Sequence, residues 1–301
     1  NRYSISSKEV GTFTHKVFEE FLKEARDKNL DFSSLDDKKI EEIADRIICE
    51  YLKALYRRGY KTNRLKHMFE RLRSRLIVYL KDITREFAQS DFSPEFFELS
   101  FAGDSDNAPI PLQFKIGETA SATIGGIADR VDILRKDGVT YVRVVDYKSK
   151  SKKISLDEIA NGREFQMLIY LFTLCKMSDC SFRKKLLDDS EKLCPAGVLY
   201  YPMNINSARA NTEAGISSAE KAEEVQERAI ANIVEKNGIF LDNESILRAQ
   251  DKELNGEFIP KYPSKSKDVF ISLEKFDELY ASMEKMIEEI GEEIFSGDAS
   301  A

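Results

Sequence analysis

Asp146 and Lys148 close the run Tyr141-Val142-Arg143-Val144-Val145 and are separated by a single residue, Tyr147. In a strand, alternate side chains share a face, so this carboxylate and ammonium point one way and Tyr147 points the other. Such a pair is a compact device for hydrolysis. The carboxylate can bind a divalent cation, while the ammonium positions an attacking water or offsets negative charge on phosphorus. Alone, Asp-x-Lys reads as a surface charge pair at a strand end. A second cluster precedes it: Gly126-Ile127-Ala128-Asp129 runs on into Arg130-Val131-Asp132. A carboxylate inside an otherwise apolar strand costs on the order of several kcal/mol unless it is paired or metal-bound. The glycine ahead of it permits a bulge or the close approach of another group. A third cluster follows in Gln166-Met167-Leu168-Ile169-Tyr170, where Gln166 and Tyr170 are one helical turn apart and share a face. Upstream, His15 stands at the start of the first amphipathic segment and by itself reads as a satisfied polar residue. Glu98 reads as a surface carboxylate, with a further acidic contribution as the alternative. Arg163, near Gln166, is a candidate phosphate contact. Tyr200 and Tyr201 read as packing rather than as platforms for bases. The three clusters in this order are hard to obtain by accident.

The elements that must position these residues follow from hydrophobic period. Residues 14–25, 40–55 and 65–87 carry apolar side chains three and four apart and are predicted helices. From residue 96 the period falls to two, giving strands over 96–101, 112–116, 122–134 and 140–147, with turn signals at 103–111, Gly117 and Asp137-Gly138. A helix over 156–175, a short strand over 196–201 and helices over 225–235 and 273–294 complete the pattern, with loops at 204–219 and 258–267. The order implies an α/β core with helical additions at both ends. Its sequential division is a helical region (1–95) carrying His15 and a basic segment, a core (96–203), and a loop with a C-terminal helical region (204–301), within one compact domain overall.

Composition narrows the class. The chain has 301 residues, of which 42% are hydrophobic, with 19 Phe, 12 Tyr and only 7 Pro, a mixture suited to a packed core and not to disorder. No run of about 18 uncharged apolar residues occurs, so no membrane partner is expected. The chain begins with Asn and has no charged-then-apolar leader, which reads as an excised or processed piece of a soluble protein. Cys49, Cys175, Cys180 and Cys194 form no C-x-x-C pair and read as reduced thiols of a cytoplasmic protein. The net charge of −7 argues against bulk coating of nucleic acid. Between Arg46 and Arg85, however, twelve basic residues face only Glu50, Glu70 and Asp82. That segregation allows either a phosphate-binding face or a solvated helix surface.

The combination of an N-terminal helical His, Gly-x-x-Asp, Asp-x-Lys and Gln-x-x-x-Tyr resembles the RecB-like branch of the PD-(D/E)xK nuclease superfamily. Longer stretches, GTFTHKVFEEF (11–21), GIADRVD (126–132), VVDYKS (144–149), PAGVLYY (195–201) and the tail over 287–298, are similar to the C-terminal nuclease domain of the B subunit of bacterial AddAB-type helicase–nucleases. The resemblance covers nearly the whole chain. It implies a restriction-endonuclease-like core, a mixed central sheet flanked by helices. It further implies a metal-dependent deoxyribonuclease, an exonuclease working in double-strand-break repair by recombination. Asp129 and Asp146 would hold Mg²⁺ or Mn²⁺, His15 would be a metal ligand or lie beside the metal, Lys148 would be the catalytic lysine, and Gln166 and Tyr170 would organise the site. The implied partners are DNA, as a single strand or a duplex end, and a helicase subunit. A stand-alone endonuclease or repair nuclease, and an idle DNA-binding or structural module, are the alternatives. Two departures stand out. Four cysteines bind an iron–sulfur cluster in the family; its ligands are absent from this chain and the cysteines present do not substitute, which reads as trimming inside the cluster ligands. Lys150 also stands where Gly often follows Asp-Tyr-Lys-Ser.

Overall fold

Apolar stripes at helical spacing dominate the first ninety residues, and they fold as the period requires. The computed structural model describes residues 7–57, 63–103, 108–118, 120–148, 154–160, 162, 165–203 and 236–296. Helices α1 (Ser7–Asp27), α2 (Asp37–Arg57) and α3 (Asn63–Gln89) each extend past the predicted span. Because α1 begins at Ser7, His15 lies well inside the helix and not at its start. The buried stripes include Phe13, Val17, Phe18, Phe21 and Leu22 of α1, Ile40, Ile43, Ile47 and Ile48 of α2, and Leu72, Leu76, Leu80 and Ile83 of α3. Phe13 joins them, with its ring 4.6 Å from Tyr51 and 4.7 Å from Phe69.

Among the described residues, four members of the basic segment meet acids, three of them from other helices. Arg46 pairs with Glu24 of α1, Arg73 with Asp45 of α2, Lys81 with Asp37 at 2.8 Å and Arg85 with Asp82 at 3.0 Å. Lys53 and Arg57 are exposed at the end of α2. Arg58 and Lys61 lie outside the described residues, as do the side chains of Arg64, Lys66 and Arg71.

The period-two region forms a six-stranded mixed sheet in the order β1-β4-β5-β6-β7-β8, made of β1 (Ser93–Ser100), β4 (Ile127–Lys136), β5 (Val139–Lys148), β6 (Lys192–Pro202), β7 (Asn237–Leu241) and β8 (Phe270–Ile271). β4 is antiparallel to both β1 and β5, whereas β7 and β8 are parallel. A separate hairpin pairs β2 (Gln113–Ile116) with β3 (Ala120–Thr123). The strand expected over 122–134 is therefore two, broken at Gly125-Gly126. β4 turns into β5 through Asp137 (φ +52°) and Gly138 (φ +73°), the paired left-handed residues that a tight hairpin needs.

The helix expected over 156–175 is likewise divided, into α4 (Leu156–Ala160) and α5 (Gln166–Lys176), with Gly162 at φ +77° between them. Two short helices, α6 (Ser181–Leu187) and α7 (Glu244–Gln250), the long α8 (Leu273–Ser296) and a 3₁₀ turn at Phe32–Ser34 complete the described elements. The expected 225–235 helix and 204–219 loop lie outside the described residues. In the 258–267 loop, Phe258 and Ile259 are buried. One face of the sheet, with Val131, Ile133, Val142 and Val144, packs on α5 and on Phe276, Leu279 and Met283 of α8. A smaller cluster joins Phe92, Leu134 and Ala196 to Ile246 and Ala249 of α7. A mixed sheet with flanking helices is the α/β, restriction-endonuclease-like architecture that the sequence implied. Among the described residues no helix is long and apolar enough to cross a membrane.

The chain forms two compact units, and neither is one continuous stretch. Residues 1–90, 147–151 and 201–235 make the first; residues 91–146, 152–200 and 236–301 make the second.

Candidate active site

Strand β4 carries two acids, Asp129 and Asp132, three positions apart and therefore on opposite faces. Asp132 is fully buried between two fully buried arginines, Arg130 at 2.9 Å and Arg143 at 2.8 Å. Arg143 also reaches Gln250 at 3.3 Å and stands 5.3 Å from the Phe92 ring. The cost of burying Asp132 is thus offset inside the fold, and its role is structural. Asp129 has a different environment. It is half-buried, and β1 runs past it with Phe97 opposite Arg130 and Leu99 opposite Ala128, which sets Glu98 against Asp129.

Glu98 adopts φ +47°, a left-handed conformation that costs a residue with a side chain about 1–3 kcal/mol. Carboxylate oxygens of Glu98 and Asp129 lie within 4.8 Å of one another. On the other side of β4 the register runs Asp132 to Arg143, Val131 to Val144 and Arg130 to Val145. Its next step puts Asp146, which is buried, opposite Asp129. Three carboxylates therefore occupy three neighbouring strands of the sheet. Like charges set directly opposite are unfavourable across a sheet, and a divalent cation reverses that sign.

The donor set fits a hard cation. Two oxygens on one Mg²⁺, at about 2.1 Å each, stand at most about 4.2 Å apart, so Glu98 and Asp129 reach a shared ion by a shift of under ~1 Å. Local sequence reads Glu98 as a surface carboxylate, because nothing near it signals its backbone conformation; it is indeed exposed. The signal lies in strand pairing.

The Gly-x-x-Asp and Gln-x-x-x-Tyr clusters are one piece of packing. Gly126 has φ +155°, and a β-carbon there would stand 1.9 Å from the Tyr170 hydroxyl oxygen and 2.8 Å from the ring carbon bearing it. Only glycine leaves room for this phenol. Tyr170 is buried, stacks on Phe101 at 4.6 Å and 15°, and accepts a hydrogen bond from the Gln166 amide at 2.8 Å. Phe101 in turn donates its backbone N–H to the Gly126 carbonyl at 2.8 Å. Gln166, the first residue of α5, is exposed and holds the phenol from outside. The approach to Asp129 is thus fixed by α5.

His15 and Lys148 belong to the first unit. His15 is half-buried on α1 and its ring meets that of Tyr147. Lys148, half-buried, ends β5, and its carbonyl accepts the Met203 N–H at 2.6 Å. Strand period puts its side chain on the face that Asp146 uses. Tyr200 and Tyr201 are buried, as their place on an apolar strand predicts. Arg163 and Lys150 lie outside the described residues.

The sequence profile described as the PD-(D/E)XK nuclease superfamily matches residues 1–298. Similar curated proteins share one name, that of the B subunit of an ATP-dependent helicase/deoxyribonuclease. The Clostridium tetani protein is 29% identical over 308 residues, covering 99% of this chain. The Acetivibrio thermocellus protein is 27% identical over 309 residues, also 99% of this chain, and the Clostridioides difficile protein 30% identical over 310 residues, 98% of it. The chain spans 25% of the length of each of these relatives.

Proposed function

From the premise that the chain belongs to the PD-(D/E)XK nuclease superfamily, we propose that it is a divalent-metal-dependent deoxyribonuclease domain. It acts as an exonuclease, forms part of a helicase–nuclease subunit, and serves double-strand-break repair by recombination. The observation that carries the reading is the close pair Glu98 and Asp129, with Asp146 on the next strand. The name shared by the relatives supports DNA as the substrate and a helicase subunit as the partner.

In this reading Asp129, Asp146 and His15 would hold Mg²⁺ or Mn²⁺, with Glu98 as a further ligand beside Asp129. When bound, the ion would offset charge on the phosphate and lower the pKa of a water it carries. Lys148 places its ammonium where negative charge grows on the phosphoryl oxygens, and so favours the transition state over the ground state. Asp146 is buried near the end of β5, a central strand of the sheet. Tyr170 and Gln166 keep the backbone ahead of Asp129 in place, and their loss changes catalysis by moving that carboxylate.

Cleavage of end-labelled linear single-stranded DNA with Mg²⁺ or Mn²⁺ tests the proposal. The parent chain is expected to release short products, and Asp146→Ala and Lys148→Ala to abolish release. Parent-rate cleavage by both variants would refute it. Circular single-stranded DNA tests the exonuclease assignment, because cutting of the circle requires an endonuclease.

A further inference from the structure

Tyr147 sits between Asp146 and Lys148 in the chain, points away from the face they share, and is buried. Its surroundings within the first unit are aromatic. The His15 ring meets it at 5.7 Å and 67°, edge to face, and the Phe18 ring at 5.1 Å and 31°. His15 and Phe18 are three residues apart on α1 and present one face to this ring. Behind it, Tyr201 meets Tyr147 at 5.7 Å and 77°, and Tyr79 stands 6.4 Å from both Tyr201 and Phe18. The far end of the column is anchored by a polar contact: the Tyr201 hydroxyl donates to the Asp82 carboxylate, which also accepts from Arg85 at 3.0 Å. Burial first, and the Asp82 carboxylate next, push the Tyr201 hydroxyl well above the ordinary tyrosine range, so it remains a donor.

Edge-to-face contact favours one plane of the neighbouring ring, because the positive rim of one ring seeks the negative face of the other. An imidazole that ligates a metal needs its plane fixed, since one ring nitrogen must aim its lone pair at the ion. We propose that Tyr147 is a positioning residue for His15: its ring sets the imidazole plane for metal ligation, and the Tyr201–Asp82 hydrogen bond holds that ring in turn. This rests on the reading of His15 as a ligand. It gives the middle residue of Asp-Tyr-Lys a task separate from those of its two neighbours.

The test uses the 301-residue chain, whose two histidines, His15 and His67, make its imidazole NMR spectrum simple to assign with His15→Ala. Tyr147→Leu is expected to move the His15 ring signals and leave those of His67 in place, whereas Tyr147→Phe keeps the ring and the signals. Mn²⁺ affinity, by calorimetry, is expected to fall about 10-fold in Tyr147→Leu, the usual effect of losing a group that orients a ligand, and to hold in Tyr147→Phe. The loss should vanish when His15 is already Ala. Tyr201→Phe, which deletes one hydroxyl, should give a smaller loss with the same dependence on His15, and serves if Tyr147→Leu does not fold. The proposal is overturned if His15→Ala weakens Mn²⁺ binding while Tyr147→Leu and Tyr201→Phe do not. It is equally overturned if their losses persist in the His15→Ala background, which would mark a purely structural role. Unchanged Mn²⁺ affinity in His15→Ala would instead defeat the ligand reading itself, and is recognisable because the NMR shift in Tyr147→Leu would remain.

Discussion

Replacing Gly126 with alanine adds one carbon, and the cost can be worked from the contacts. The new β-carbon would lie 1.9 Å from the Tyr170 hydroxyl oxygen, 2.8 Å from the ring carbon bearing it and 3.0 Å from the next ring carbon. Comfortable separation begins at about 3.5 Å, so the phenol must retreat by about 1.5 Å. That retreat breaks the bond from Gln166, at about 0.5–1.5 kcal/mol. It also overpacks a buried ring, at about 1–3 kcal/mol. The glycine's φ of +155° adds backbone strain for an alanine. A total on the order of 3 kcal/mol, set against an unfolding entropy of about 2.1 cal/mol/K per residue, lowers the melting temperature of a 301-residue chain by roughly 5 °C. Scanning calorimetry reads this directly. Repeating Gly126→Ala in a Tyr170→Ala background should recover most of the loss, because the colliding ring is gone. Equal losses in the two backgrounds, or a shift under about 2 °C in the parent, would refute the claim that Tyr170 is why this position is glycine.

Two further outcomes follow from charge and burial. Brief alkylation at about pH 8 is expected to label exposed Cys49 and spare Cys175 and Cys194, because burial pushes up both thiols, that of Cys194 to about 11. Peptide mass mapping that found either of those two modified as fast as Cys49 would contradict this. Burial raises the Glu19 and Glu24 carboxyls, but hydrogen bonds from Lys23 and Lys16 to Glu19, and from Lys28 and Arg46 to Glu24, outweigh it and hold both below their ordinary 4.5. Groups lowered on folding stabilise fully above 4.5 and lose that contribution as pH falls through their folded values. Urea unfolding followed by circular dichroism should therefore show stability dropping below pH 4.5, with a shallower drop in Glu19→Gln; an identical slope would refute the assignment.

Much of the molecule is legible in local patterns. The three N-terminal helices, the Asp137-Gly138 hairpin and the strands holding Asp129 and Asp146 announce themselves through period and turn chemistry, and the motif residues through spacing. What local pattern cannot carry is pairing at a distance. Glu98 gains meaning from its place opposite Asp129, set by the register of β1 on β4. Gly126 signals a close approach, but that the approaching group is Tyr170, forty-four residues on, depends on where α5 lies. Nor does the run from Arg46 to Arg85 reveal its partners: Glu24, Asp37 and Asp45, outside the run, pair with Arg46, Lys81 and Arg73. The elements α6, β7, α7 and β8 are seven residues or fewer, too short for a period to emerge.

The central claim is that acids on adjacent strands of this sheet share a divalent ion, and Mn²⁺ titration by calorimetry tests it most directly. The parent chain is expected to bind saturably, Asp129→Asn to lose binding, and Glu98→Gln to bind about 10-fold more weakly or worse, with neither variant melting lower than the parent without metal, since each relieves repulsion between opposed carboxylates. Parent-like Mn²⁺ affinity in folded Asp129→Asn would contradict the account.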